Sequence, residues 1–340
     1  MIQIDETSIS KLILHRIFPS ENNCIINDTL IENSNEDEDG FLKKTLLKSF
    51  LSLSNTFEFK HDVNIEYNVL FNLSKNIHNG NDFIETSSEI MQHLIGVSKH
   101  PNIKDGDVFI AKFDDIKIQN KPYQALGIFK FEDKDSFIET SVNDSGMGFH
   151  VKKGIGNKKP DKACLILFTE EPYTLFIIDS NNDTDYWQNE FINLKPKNDY
   201  VNNTNNFLTL TKNFITKQVP TDFVVNKTDQ IDLLNRSVEY FKTREKFDKQ
   251  EFEDEVFQDK EIIKSFRNFD STYREEKDIE ITDDFEISPE AVKKQARVFK
   301  SVLKLDKNFH IYIHGDKQLI EQGVEKDGRK FYKIYFDKEL

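Results

Sequence analysis

After Pro101 the spacing of apolar residues changes from helical to extended, and this change limits what the chain can become. Residues 107–116, 123–132, 136–142, 163–168 and 175–178 are short apolar runs separated by polar turns such as Glu170-Glu171-Pro172-Tyr173. Turns this short join antiparallel neighbours, because a parallel pair needs a crossover of a dozen residues or more. Residues 9–18 read as an earlier buried strand closed by Pro19. Apolar residues at helical spacing then predict helices over 41–53 (Leu42, Leu46, Leu47, Phe50, Leu51), 62–77 and 86–98 (Ile90, Leu94, Ile95). Between strand and helix, 32–40 contains Glu36-Asp37-Glu38-Asp39 and almost nothing apolar, and it reads as an exposed loop. Helices followed by clustered strands, without regular alternation, indicate an α+β fold with an antiparallel sheet rather than a doubly wound one.

From 183 onward the pattern is helical again, over 183–193, 205–217, 227–247 and 249–268, with a break at Pro220. The charged stretch 270–286 reads as a linker. Ser288-Pro289-Glu290 then opens a helix expected over 289–304: serine caps it, proline suits its first turn, and an acid meets its positive end. Residues 309–314 and 330–336, around the turn 326–329, read as a small β unit. The expectation is two domains, an α+β domain over 1–220 and a mostly helical domain over 221–340 closed by that β unit.

A chain of 340 residues can hold two cores, and its 30 Phe beside one Trp and three Met make Phe, Ile and Leu the packing material. No apolar run approaches the roughly 18 residues of a spanning helix. The start, Met-Ile-Gln-Ile-Asp-Glu, lacks the basic and apolar parts of a signal peptide, so a cytoplasmic location is expected. Cys24 and Cys164 have no metal-ligand spacing, which excludes a cysteine zinc site and leaves a disulfide disfavoured. The net charge of −14 argues against nucleic acid, but it is unevenly spread. Residues 286–340 carry 12 Lys and Arg against 9 Asp and Glu, whereas 1–285 carry 34 against 51. Screening over about 8 Å at physiological salt keeps distant acids from cancelling a local basic face.

Two basic clusters are candidate DNA contacts. Lys293, Arg297, Lys300 and Lys304 would share one face of the helix over 289–304, with Lys294 beside them and Val292, Ala296, Phe299 and Leu303 on the adjoining face. Such a stripe can follow a phosphate backbone; an ordinary solvated helix face is the plainer account. Lys152, Lys153, Lys158, Lys159 and Lys162 are threaded through Gly146, Gly148, Gly154 and Gly156, and read either as an anion-cradling segment or simply as a mobile basic loop. With seven arginines in the chain, lysine-dominated patches suit phosphates better than guanine edges, so sequence selectivity should be weak.

No Gly-x-Gly-x-x-Gly pattern or phosphate-loop lysine appears, and no cofactor is expected. A metal-dependent nuclease is a rival reading: Asp114 or Asp115 with Glu132-Asp133-Lys134 on neighbouring strands could hold magnesium, although acid-x-Lys patterns are frequent by chance in so charged a chain. His310 and His314 could share a metal from one strand face, and His93 and His100 straddle a helix end, but core or surface roles account for all four. A third reading is an interaction scaffold using residues 227–284, which hold 11 basic against 18 acidic residues.

Several stretches carry a resemblance. They are His15-Arg16 in the first strand, Ser98-Lys99-His100-Pro101-Asn102-Ile103-Lys104-Asp105-Gly106-Asp107 running into Val108-Phe109-Ile110-Ala111, Gly127-Ile128-Phe129-Lys130, and Asp161-Lys162-Ala163-Cys164-Leu165-Ile166. In this order, and with the C-terminal helix followed by β structure, they resemble the bacterial nucleoid-associated protein family (NdpA-like) across nearly the whole chain. The resemblance implies binding of double-stranded DNA without sequence choice and supplies no active site. The long Asn- and Lys-rich loops depart from better-known members. The resulting expectation is a non-enzymatic DNA-binding protein of the nucleoid. Chromosome-associated proteins and a homodimeric partner are left open, and no membrane partner is expected.

Overall fold

Alternation along residues 125–131 puts Leu126 and Ile128 on one side of a strand and Ala125, Gly127 and Phe129 on the other, and a sheet grows on that pattern. The computed structural model describes residues 2–32, 35–143, 146–180, 185–277, 279–297, 299, 302–305, 307–312 and 319–338. It divides the chain into two units, Met1–Lys197 and Asn198–Leu340.

The first unit runs β1 (Ile2–Gln3), β2 (Ser8–Phe18), β3 (Asn23–Ile25), α1 (Glu36–Leu47), β4 (Phe57–Phe59), α2 (Val69–His78), α3 (Phe83–Val97), β5 (Gly106–Ile118), β6 (Lys121–Phe131), β7 (Asp135–Asn143), β8 (Gly146–Gly154), β9 (Lys162–Leu167), β10 (Thr174–Asp179), a π-helical segment Asp185–Ile192, and β11 (Leu194–Pro196). The main sheet has the order β11-β4-β10-β9-β6-β5-β2-β3, with β1 on β5, and every pairing is antiparallel. Ile13, Val108, Ile110, Leu126, Ile128 and Ile166 pack with α2, α3 and the π-helical segment on one face. Leu12, Phe113, Phe129 and Leu165 pack with Leu46, Leu47 and Phe50 on the other. The α+β expectation is met.

The acidic stretch expected to be a loop begins α1 instead. Asn35 caps the helix by accepting from the Glu38 N–H at 2.9 Å, and the four acids form the first turn, where the positive end of the helix dipole favours them. The glycine-rich segment after 145 is also more ordered than a basic loop. Gly146–Gly154 forms β8, which pairs with β7 as a separate two-stranded sheet.

The second unit runs α4 (Tyr200–Asn213), a π-helical turn Phe214–Gln218, α5 (Val219–Asp222), α6 (Lys227–Thr243), β12 (Lys246–Asp248), α7 (Lys249–Phe252), a π-helical turn Glu253–Phe257, α8 (Lys260–Lys277), β13 (Asp284–Glu286), α9 (Pro289–Ala296) and strands β14 (Val302–Leu305), β15 (Phe309–Tyr312), β16 (Ile320–Val324) and β17 (Lys330–Ile334). Its core is aromatic, with Phe207 against Phe252 edge-on at 5.1 Å and against Phe247 at 4.2 Å. Phe207, Leu210, Phe214 and Val219 lie in this core, so residues 198–220 pack with the C-terminal helices, and the division falls at 197/198 rather than near Pro220. The helix expected over 249–268 is interrupted at Gln258, whose φ of 62° is left-handed. The expected linker over 270–286 is helical to Lys277, because buried Asp270 accepts from Lys249 Nζ at 2.7 Å and from Arg274 Nε at 2.6 Å.

Candidate functional site

The first basic cluster lies on α9 and just beyond it. Ser288 Oγ accepts from the Ala291 N–H at 3.3 Å, and Ala291 and Val292 are buried, so one face of the helix is fixed to the unit's core. Lys293, Lys294 and Arg297 are exposed, at or just after the helix's C-terminal end, where cations are favoured by the dipole. The continuous stripe expected to reach residue 304 does not form. The helix stops at Ala296, Lys300 lies outside the described residues, and Lys304 belongs to β14, opposite His310 of β15. The cause is legible in the residues. Val302-Leu303-Lys304-Leu305 has period two, and Phe309-His310-Ile311-Tyr312 supplies a β-prone partner across a short turn. Pairing outweighed the weaker helical pattern.

The second cluster is split. Lys153 and Lys159 are exposed, and Lys152 is exposed while pairing with Glu139 at 2.6 Å. Lys158 is half-buried, donating to the Asp133 carbonyl at 3.3 Å and lying 3.7 Å from the Asp161 carboxylate. Lys162 cannot reach a phosphate. It opens β9, its side chain is 1% exposed, and its ammonium pairs with Asp179 beneath the Tyr186 ring. Its place as a DNA contact is corrected.

Lys162 belongs to a buried charged cluster in which the motifs of the resemblance meet. Lys130 lies directly opposite it in the β6–β9 register. Lys130 Nζ donates to the Lys104 carbonyl at 2.7 Å and to Glu132 Oε1 at 2.9 Å, with no exposed side-chain surface. The Glu132 N–H donates to Asp161 Oδ2 at 2.8 Å. Gly106 faces Lys130 so closely that a β-carbon there would stand 2.9 Å from the lysine stem. Asp107 pairs with Arg16 at 3.0 Å and with Lys134 at 2.6 Å. Burial pushes the Lys130 ammonium below its ordinary range, while Glu132 pulls it back. Tyr186 holds both ammonium groups 5.6 Å from its ring centre and also lines a neighbouring cavity of about 880 Å³ with Val97, Lys99, His100 and Ile103. Each lysine already has a carboxylate partner, so this arrangement clamps β6, β9, β10 and the 104 loop together. Sequence reasoning missed it, although one signal was present: a single lysine inside or at the edge of an otherwise apolar run (Ala125–Phe131, Lys162–Leu167).

The nuclease geometry fails on register. Asp107 pairs with Phe131 at one end of the β5–β6 hairpin, with Glu132 just beyond it, and Asp114 lies seven residues further along β5 from Asp107, about 24 Å at strand spacing. Asp114 accepts from Gln124 Nε2 at 2.7 Å, Glu132 is bound to Lys130, and Lys134 is turned to Asp107. Among the described residues no three His, Cys, Asp or Glu side chains are grouped to hold a metal. His314 lies outside the described residues and His310 is exposed. His93 bonds the Phe191 carbonyl at 2.9 Å, and His100 Nδ1 accepts from the Asn102 N–H at 3.2 Å. Both cysteines are free, Cys164 fully buried in β9. No helix among the described residues is long and apolar enough to cross a membrane.

No curated protein matches the chain. The family model described as nucleoid-associated protein YejK matches residues 13–329, which takes in every motif quoted above, and the chain belongs to that family.

Proposed function

We propose that the chain carries out its family's nucleoid-associated role by binding duplex DNA directly, without catalysis and with little sequence choice. The observation that supports this reading best is the exposed trio Lys293, Lys294 and Arg297, in the one-sixth of the chain where bases outnumber acids. Lys293 and Lys294 are adjacent and Arg297 lies one turn further on, a spacing that suits phosphate oxygens, and nothing in their arrangement reads base edges. Lys153 and Lys159 are secondary contacts. Lys152 and Lys158 contribute less, since each already faces a carboxylate.

A scaffold for chromosome-associated enzymes is the second reading, favoured by the acidity of residues 227–284. Part of that acidity is neutralised internally, through Arg267–Glu253, Arg244–Glu255 and Lys249–Asp270, which leaves less of it for a partner. Retardation of random duplexes by the purified full-length protein separates the two. Direct retardation supports the proposal, and retardation that needs an added partner supports the scaffold.

A further inference from the structure

The β7–β8 hairpin is amphipathic in a way that leaves its apolar face uncovered. Residues opposite one another in an antiparallel pair share a face, so the register places Ile138 with Val151, Thr140 with Phe149, and Val142 with Met147 on one side. The other side carries Phe137 with Lys152, Glu139 with His150, and Ser141 with Gly148. On the first side Ile138, Val142, Met147, Phe149 and Val151 are 65–79% exposed. Taking about 200 Å² for a fully exposed aromatic, these five side chains present on the order of 600 Å² of apolar surface, the top of the range a soluble monomer tolerates. A two-stranded hairpin is also marginal by itself in water and needs a third layer or further strands.

We propose that this face docks on the same face of a second copy of the chain, making the hairpin a dimerisation arm. Three arguments select that occupant. Two stacked hairpins would remove on the order of 1,200 Å² from water, the lower bound of stable specific interfaces. The face is self-complementary: it carries no acid, and its one base, Lys153, sits at the root, so twofold stacking opposes apolar groups and not like charges. A face this apolar needs a partner present at equal stoichiometry, which a second copy guarantees. DNA is a poorer occupant, since residues 135–154 hold two Lys against three Asp and Glu. The inference does not depend on DNA binding.

The experiment is sedimentation equilibrium of the full-length protein, in parallel with Val142→Glu/Phe149→Glu. Wild type should have twice the chain mass of 39.9 kDa and the double variant a single chain mass, with unchanged circular dichroism. Glu139→Gln/His150→Gln, on the opposite face, should remain dimeric. Should the acidic variant fail to fold, single cysteines at Thr140 or Met147 in a Cys24→Ser background decide the matter, because a short bis-maleimide should join two chains there. A monomeric wild type, an acidic variant that stays dimeric, or a dimer that does not cross-link at either position would overturn the proposal. A monomeric wild type whose DNA affinity drops in the acidic variant would reassign the arm to DNA.

Discussion

The hairpins β5–β6 and β7–β8 are consecutive in the chain, both alternate apolar with other residues, and both carry lysine, yet they end in opposite surroundings. In β6 every residue from Ala125 to Phe131 is buried, including Lys130, whereas in β8 Met147, Phe149, Val151 and Lys153 all face water. The difference lies in the neighbours. β6 is flanked by β5 and β9 and covered on both faces, while β8 has β7 alone. Strand alternation therefore specifies two faces and does not say whether either is covered. A lysine within it becomes a core clamp or a surface charge according to whether acids such as Glu132 and Asp179 are folded against it.

The largest test of this contrast removes the two kinds of lysine in turn. Lys130→Ala takes away the ammonium facing buried Glu132 and should cost about 3–5 kcal/mol of unfolding free energy in urea. Lys153→Ala should stay within about 0.5 kcal/mol. Equal effects would break the comparison.

Acid should expose a second buried polar group of the same sheet. Asn27 N–H donates to His15 Nδ1 at 3.1 Å, so the ring's proton sits on Nε2, 3.3 Å from Ser87 Oγ, and burial lowers the pKa from 6.5 to about 4. Above pH 6.5 neither state takes a proton at this site. Between 6.5 and about 4 the unfolded chain takes it and the folded chain does not, so stability falls by up to about 3 kcal/mol and then levels. The difference in urea stability between wild type and His15→Gln should shrink by that amount from pH 7.5 to pH 4. A constant difference would show that His15 titrates normally.

Packing between the strands gives a smaller effect. A β-carbon at Gly127 would lie 2.4 Å from the Phe129 ring and 2.8 Å from Phe113, so Gly127→Ala should cost about 1–3 kcal/mol. Gly148→Ala, with open space around it, should cost under about 1 kcal/mol, and thermal melts distinguish the two.

The main strands, the α+β class and the helices α2 and α3 were legible because long apolar runs at period two or near four leave little choice. Three features were not. The acids before Leu42 lacked an apolar pattern, and only the cap at Asn35 and the helix dipole make them helical. Residues 302–305 fit both periods, and a partner strand decided between them. The basic clusters were legible as composition, but composition does not separate exposed Lys153 from buried Lys162. That distinction comes from Asp179, seventeen residues away on β10.

The central claim is that exposed cations at the end of α9 contact DNA phosphates, and its most direct test is the salt dependence of full-length protein binding to random duplexes. If Lys293, Lys294 and Arg297 each meet one phosphate, log affinity should fall against log salt with a slope steeper than or equal to about −2.7 per chain, or roughly 40-fold between 50 and 200 mM. In Lys293→Glu/Arg297→Glu the slope should lose about two contacts, near 1.8, for every sequence alike, with unchanged melting temperature because both side chains are exposed. A variant whose affinity and slope match those of wild type would contradict the account.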